Sequence, residues 1–204
     1  MCGHVEVGEQ KDLKIIKRDG SAYQARSNTA GNPGSVLPVV TDAIPDKVQQ
    51  FRWGLLTADD DNIHSKNKHA RVESLFTVGL WRERVGRKHC VIRIQAYFEY
   101  NKANGITYKF ERNDGKPFYI AGLWEHWLDI KTNVLLPTFV MITVPPNRAV
   151  AEVHDRMPAI LERGNIKHWI HPHLSGPDRV SFLRNHPCQA EALKITVHRD
   201  SQSS

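Results

Sequence analysis

The 204-residue sequence is poor in cysteine, with residues only at Cys2, Cys90 and Cys188. Three cysteines at unrelated spacings fit neither a disulfide framework nor a structural zinc site, and they indicate a reducing compartment. No apolar run approaches the roughly 18 residues of a membrane span, and the polar opening of the chain lacks the hydrophobic core of a signal peptide. We therefore expect a cytoplasmic protein without membrane contact, associated with the nucleoid if it binds DNA.

The chain also lacks internal repeats, low-complexity blocks and Gly/Ser-rich linkers that would divide it. Its 40% hydrophobic and 25% charged residues are typical of a globular protein that buries a core. We predict a single domain over residues 1–198, a disordered tail over residues 199–204, and a monomer.

Positive charge is in excess, with 28 Lys and Arg against 22 Asp and Glu, and this favours an anionic partner such as nucleic acid. The window from His64 to Arg93 holds eight bases and two acids, a surplus as large as that of the whole chain. A solvated helix face followed by a basic turn would explain this run. A groove that follows the phosphates of a nucleic acid, with the nearby Phe76, Trp81 and Tyr97 to stack its bases, would explain it as well.

Short runs with β-branched or alternating apolar residues dominate the pattern, and we predict strands at residues 13–17, 36–40, 90–100, 106–111, 117–124, 136–144 and 193–198. Apolar residues at helical spacing predict one amphipathic helix over about residues 70–84: Val72, Leu75, Phe76 and Leu80. A second helix is predicted around residues 147–154, and a hairpin loop at Asn101–Gly105. The pattern indicates an α+β protein built mainly from antiparallel strands.

Cys2 is the position with the most distinctive chemistry. Removal of Met1 would leave its α-amine and thiol on adjacent carbons, as a 1,2-aminothiol. An α-amine pKa of about 7.7–8.0 leaves a useful fraction of the amine neutral at cellular pH. The amine can condense with an aldehyde to a Schiff base, and the thiolate can then close a thiazolidine ring. An internal cysteine cannot do this, although a cysteine at position two can also be accidental.

Two further residues are candidate acid/base groups. Glu99 lies among aromatic residues in the run AYFEY, an environment that tends to raise a carboxyl pKa and suit it to proton transfer. A solvent-facing strand glutamate is the ordinary alternative. His154 precedes Asp155, which could orient its ring, while a capped histidine at a helix end is the alternative reading.

Metal binding is not predicted, and neither is a cofactor. The available ligand types do not match a zinc signature in their spacing. These candidate ligands are Cys2, His4, His64, His69, Cys90, His154 and Cys188.

Six short motifs occur in order along the chain: Met1-Cys2-Gly3, Trp53-Gly54-Leu55, His69-Ala70-Arg71-Val72-Glu73-Ser74, Tyr97-Phe98-Glu99-Tyr100, Ala121-Gly122-Leu123-Trp124-Glu125 and His154-Asp155-Arg156-Met157-Pro158. Together they resemble the SRAP family, the SOS-response-associated peptidases, whose members process abasic sites in DNA. The resemblance implies one α+β domain with a barrel-like antiparallel sheet, flanking helices and a basic groove for single-stranded DNA. It also implies that Met1 is removed by the cell or by the protein itself.

The resemblance further implies roles for individual residues. Cys2 would be the crosslinking nucleophile, Glu99 would donate and accept protons, and His154 would assist Schiff-base formation and opening of the sugar ring. The residues that would contact DNA are Arg71 and Arg156 at phosphates, Thr143 as a polar contact, Trp53 along the DNA path, and His69, Tyr100 and His4 at positions where the family usually has other residues.

The departures from the family pattern fall on the DNA contacts. His69 stands where the family usually has an Asn that contacts the abasic sugar. His4 replaces an Arg, and Tyr100 replaces a Trp and would stack over a smaller area. The acidic run TADDDN replaces a Pro and a second Trp. We therefore expect the reaction to be retained more faithfully than the geometry of substrate binding.

These observations lead to one main hypothesis and two rivals. The main one is a protein that senses abasic sites in single-stranded DNA and forms a reversible thiazolidine crosslink through Cys2, with lyase-type chemistry and autoproteolytic removal of Met1. The first rival is a non-catalytic nucleic-acid-binding homologue that has lost crosslinking. The second is a peptidase that acts on other proteins, for which the chain has no recognisable oxyanion motif.

Overall fold

A computed structural model of the protein describes residues 3–8, 14–16, 22–24, 30–64, 67–171 and 174–198, so the predicted tail lies outside the described residues. The strands are β1 (His4–Glu6), β2 (Lys14–Ile16), β3 (Ala22–Gln24), β4 (Ala30–Gly31), β5 (Val36–Thr41), β6 (Ile44–Trp53), β7 (His69–Arg71), β8 (His89–Ile94), β9 (Ala96–Asn101), β10 (Ile106–Arg112), β11 (Phe118–Asp129), β12 (Val134–Val144), β13 (Met157–Pro158), β14 (Ile160–Leu161) and β15 (Leu193–His198). The α-helices are α1 (Gly79–Arg82), α2 (Arg148–Ala151), α3 (Ile166–Trp169) and α4 (Gly176–Asn185). Short 3-10 turns cover Val72–Ser74, Arg163–Asn165 and Ala190–Ala192.

A closed barrel forms the centre of the molecule. Its strands follow the order β12, β6, β5, β8 and β11, and β11 pairs back onto β12. All of these pairs are antiparallel except β6 with β12, which a long connection makes parallel. The interior is filled by large apolar side chains, among them Leu37, Phe51, Trp53, Ile92 and Phe139, each at most 2% exposed. The predicted α+β domain with a barrel-like, mainly antiparallel core is confirmed.

A second sheet carries the predicted site residues His4, Glu99 and Tyr100. Its order is β15, β10, β9, β1 and β4, and all its pairs are antiparallel. The predicted strand over residues 90–100 is in fact two strands, because the chain leaves the barrel at Gln95, whose N–H bonds the Glu6 carbonyl at 2.6 Å. β8 therefore belongs to the barrel, and β9 crosses over to pair with β1 and β10.

The predicted helix over residues 70–84 is wrong. β7 pairs with β12 at the start of this stretch, a short 3-10 turn follows, and the backbone is extended at Val78 before α1 begins. The apolar spacing that suggested a helix comes from Val72 and Leu75, which are buried by these separate elements. Strand pairing and the β-branched Thr77-Val78 pair outweigh the helical periodicity.

The other local predictions are confirmed in shorter form. The helix predicted around residues 147–154 is α2, and the side chain of Asn147 caps it by accepting hydrogen bonds from Ala149 and Val150. The loop at Asn101–Gly105 joins β9 to β10, and Gly105 has the positive φ of 71° that such a turn requires. Among the described residues, no helix has the length and apolar character needed to cross a bilayer.

Gly122 is a close-packing point within the barrel. A Cβ there would lie 2.6 Å from Ile92 Cδ1 and 2.7 Å from the Val140 carbonyl oxygen, which is backbone and cannot rotate away. We expect Gly122→Ala to lower the free energy of unfolding by about 1–3 kcal/mol, measured by urea denaturation. Gly79→Ala is the control, because a Cβ there meets open space. Equal stability of the two variants would contradict this packing.

A buried contact between His89 and Asp42 fixes the start of β8. His89 is fully buried, with Nδ1 3.1 Å from Asp42 Oδ2 and Nε2 2.7 Å from the Val85 carbonyl oxygen. These two contacts fix the orientation of the ring. Burial acts to raise the pKa of Asp42, but hydrogen bonds from His89 and Trp124 outweigh it and lower that pKa.

Removing one partner of this pair should lower the free energy of unfolding. We expect Asp42→Ala to lower the free energy of unfolding by about 3 kcal/mol in urea denaturation at neutral pH, because it removes the acceptor of the buried His89 ring and of the Trp124 indole. The double variant with His89→Ala should lose less than the two single losses added together. Because the folded-state pKa of Asp42 is lowered, its stabilisation is present above the unfolded value of about 3.9 and is lost as pH falls through the folded value. Additive losses would contradict the pairing.

Candidate functional site

A cleft of about 340 Å³ opens where β1 meets β9 and the loop after α2. It is lined by Gly3, His4, Phe98, Glu99, Tyr100, Lys102, Thr107 and His154. Four residues predicted from sequence therefore share one cavity: Glu99, His154, His4 and Tyr100. Cys2 lies outside the described residues, and its neighbour in sequence, Gly3, lines the cleft.

Glu99 is buried at the base of this cleft, with only 3% of its surface exposed, so a solvent-facing strand glutamate does not describe it. Its Oε2 lies 3.9 Å from His154 Nε2. This separation is too long for a direct hydrogen bond, but small shifts would allow both groups to share one substrate atom or proton. The two sequence-predicted acid/base residues are brought together from distant parts of the chain.

His154 is oriented from its other side. Its Nδ1 accepts a hydrogen bond of 3.0 Å from the backbone N–H of Arg156, while Asp155 Oδ1 lies 2.9 Å away. Burial lowers the pKa of His154, which favours the neutral form of the ring. Its Nε2 faces Glu99. The cleft thus holds an imidazole and a carboxyl group side by side.

Arg156 supports this arrangement from within the protein. Its guanidinium binds the Glu73 carboxylate through two hydrogen bonds of 2.8 and 3.0 Å, and it donates a third, of 2.7 Å, to the Thr143 carbonyl. These hydrogen bonds from Arg156 lower the pKa of Glu73. Only 9% of Arg156 is exposed, and its hydrogen bonds hold the loop that carries His154 against Glu73 and Thr143. This set of contacts is called the Arg156 clamp. The partner Glu73 was missed in the sequence, although it lies two residues after Arg71 in the same motif.

Two predicted DNA contacts lie beside this clamp. Arg71 is exposed and pairs in register with Thr143 across β7 and β12. The Thr143 side chain is buried, with Oγ1 3.4 Å from Arg156 Nη2. Arg71 is therefore the arginine available at the surface, and Thr143 lies behind it.

Trp53 lies elsewhere than predicted. It is fully buried in the barrel, where its Nε1 donates to the Lys68 carbonyl at 2.9 Å. Its ring meets the partly exposed His69 edge-on, with centroids 5.7 Å apart. Trp53 therefore does not line a surface path in this structure, because the pairing of β6 with β12 turns it inward, and it supports His69 from beneath.

Two bases of the window from His64 to Arg93 are engaged by an acid of the protein. Arg84 is 8% exposed, and both Arg84 and Lys88 bind the carboxylate of Glu125. Lys66 lies outside the described residues. Part of this charge thus neutralises an internal acid, and neither a solvated helix face nor a phosphate groove accounts for the whole run.

The described cysteines are poor nucleophiles. Cys90 and Cys188 are buried, and burial raises the pKa of both thiols, that of Cys188 to about 11. Two other cleft residues, Lys102 and Thr107, were not predicted. The hairpin after Glu99 is the signal that could have found them, because its register returns Thr107 opposite Tyr100.

Comparison with known proteins gives a consistent result. The model of the family "SOS response associated peptidase (SRAP)" matches residues 1–200. The abasic site processing protein YobE of Bacillus subtilis is 31% identical over 195 residues, covering 90% of this chain and 88% of its own. A crystal structure of a protein from Bacteroides thetaiotaomicron is 28% identical, with a TM-score of 0.73 over 84% of this chain and 78% of that one. A Bordetella bronchiseptica protein shares the fold, with a TM-score of 0.77 at 19% identity over 97% of this chain and 100% of that one.

Proposed function

The chain belongs to the SOS response associated peptidase family, and from that premise we propose that it processes abasic sites in single-stranded DNA by a covalent crosslink through Cys2. The observation that carries the proposal is the cleft that unites Gly3, Glu99 and His154. A nucleophile at the position before Gly3, a buried carboxylate and a neutral imidazole are the groups that such a reaction needs.

The reaction begins when Met1 is removed, by the protein itself or by the cell, which frees the α-amine of Cys2. That amine attacks C1′ of the open-chain deoxyribose aldehyde and gives a carbinolamine. Loss of the hydroxyl as water leaves an imine, and the thiolate then adds to the imine carbon while the nitrogen takes a proton. One carbon–nitrogen and one carbon–sulfur bond form, and one water is released. No cofactor or metal takes part in this scheme.

Glu99 and His154 move the protons in this scheme. His154 assists opening of the sugar ring and Schiff-base formation, and Glu99 protonates the departing hydroxyl and later accepts the thiol proton. Run backwards, the same transfers reopen the thiazolidine and release the DNA. Rapid ring closure also protects the strand, because a persistent imine would promote β-elimination and strand cleavage.

The surface around the cleft supports binding of a single strand. Arg71 offers an exposed guanidinium for a phosphate, and Tyr100, with 54% of its surface exposed, offers a ring on which a base can stack. His4 lines the cleft and His69 lies beside Arg71, where each would contact the sugar or a phosphate of the substrate. Arg156 and Thr143 hold the wall beneath these contacts, and Arg156 reaches a phosphate only if it shares its bonds with Glu73.

The test uses Met1-processed protein and a single-stranded oligonucleotide that contains one abasic site. We expect a product that survives a denaturing gel, with an intact mass equal to protein plus oligonucleotide minus one water. An undamaged oligonucleotide of the same sequence is the control. Salt-sensitive binding without a covalent product would instead support a non-catalytic DNA-binding homologue. The departures from the family pattern at His4, His69 and Tyr100 favour that alternative. Cleavage of unrelated peptides would support a peptidase.

A further inference from the structure

A second and larger cleft, of about 780 Å³, is lined by none of the residues that line the first and has no part in the reaction described above. Its walls come from the end of β12, the start of α2, the end of α4 and the turn at Ala190–Ala192. A volume of this size lies within the range of about 300–1,000 Å³ that is usual for ligand sites.

A chain of hydrogen bonds through Arg156 connects a residue of the first cleft to a residue of the second. The backbone N–H of Arg156 bonds His154, which lines the first cleft, and its guanidinium bonds Glu73, which lines the second. A ligand that extends from His154 along this chain of contacts therefore reaches Glu73, which lines the second cleft.

The second cleft has an apolar floor and a rigid rim. Val72, Val144 and Leu183 are each at most 7% exposed, and all three line the cavity. Pro145 and Pro146 form part of the rim and fix its backbone. An apolar surface of this kind suits the flat face of a nucleobase, which packs against apolar as well as aromatic side chains.

One cation on the rim remains available to a ligand. Arg184 is exposed, lines the cleft and forms no hydrogen bond or ion pair with the described residues. Of the acids on the same rim, Glu73 is occupied by Arg156, and Glu191 pairs with Arg148. The charge left over is therefore positive, which suits a phosphate.

We propose that this cleft binds a nucleotide that flanks the abasic site, with its base against Val144 and Leu183 and its phosphate on Arg184. This rests on the proposed function, because the strand that holds the lesion at Glu99 and His154 must continue beyond them. A linear polyanion passing over the Arg156–Glu73 bridge matches both the position of the cleft and its unpaired cation, whereas a peptide would have no reason to begin at the lesion.

The test compares labelled abasic oligonucleotides by fluorescence anisotropy. One is minimal, with a single nucleotide on each side of the lesion, and two others are extended on the 5′ or the 3′ side. We expect wild type to bind one of the two extended oligonucleotides more tightly than the minimal one. Arg184→Glu should bind that extended oligonucleotide about tenfold more weakly than wild type does, and it should bind the minimal oligonucleotide with unchanged affinity. Ala190→Trp, which narrows the cleft without a change of charge, should weaken binding of the extended oligonucleotide in the same way. Arg163→Glu makes the same charge change at an exposed site away from the cleft and should not.

Three results would overturn the second cleft as a nucleotide site. They are an extension gain that both cleft variants keep, equal losses for Arg184→Glu and Arg163→Glu, and the absence of any gain in wild type. Crosslinking of the minimal oligonucleotide is scored separately. If wild type crosslinks it, the proposed function stands even when the cleft fails; if wild type never crosslinks any of them, the proposed function fails whatever the affinities show.

Discussion

Cys2→Ser protein from which Met1 has been removed is expected to form no crosslink that survives denaturation. Serine keeps the α-amine, so the imine with the abasic aldehyde can still form. Its hydroxyl is a far weaker nucleophile than a thiolate and does not close a stable ring. Treatment with borohydride should therefore trap the imine of this variant as a covalent product, while untreated samples show none on a denaturing gel.

The matched control is Cys188→Ser, because its thiol is buried and its pKa is raised to about 11. This variant should crosslink like wild type. A crosslink of undiminished yield in Cys2→Ser would refute the thiazolidine and point to an amine-only adduct. Loss of both the crosslink and the borohydride-trapped product would instead show that the serine variant cannot hold the substrate.

The sequence predicts more of the chemistry of the site than of its geometry. Glu99 and His154 stand out in short local motifs, and their placement in one cleft follows from strand β9 lying beside the loop after α2. Local sequence identifies such groups because reactivity depends on residue type. It does not give the 3.9 Å between Glu99 and His154, which depends on pairing between segments 55 residues apart in the chain.

The predictions for residues 70–84 and for Trp53 differ from the structure for the same physical reason, which is pairing between strands that are far apart in the chain. The helix predicted over residues 70–84 is broken because β7 finds hydrogen-bond partners on β12, and nothing within the window indicates that partner. Trp53 is turned into the core by the parallel pairing of β6 with β12. The hydrogen bonds between Arg156 and Glu73 likewise join residues 83 positions apart. Periodicity and motif matching report on neighbours in sequence, and each of these outcomes is decided by a distant partner.

Glu99→Gln should slow crosslink formation by about 10²–10⁴-fold, the range for loss of a positioned general acid/base. The amide keeps the shape of the buried side chain, but it can neither give nor take the proton that carbinolamine dehydration and ring closure require. Single-turnover time courses on denaturing gels would measure the rate constant. Anisotropy with a stable abasic analogue should show unchanged affinity. Glu111→Gln is the control, because Glu111 lies on the neighbouring strand β10, where it binds Lys109 outside the cleft.

The reverse reaction separates a proton-transfer role from a structural one. A group that only moves protons lowers the barrier in both directions, so Glu99→Gln should slow release of a preformed crosslink by the same factor as formation. The equilibrium yield should then remain as in wild type once enough time has passed. If Glu99 only held the cleft in shape, the variant would bind the analogue weakly or reach a lower yield. A slow approach to an unchanged plateau therefore assigns the proton transfers to Glu99, and a lowered plateau removes that assignment.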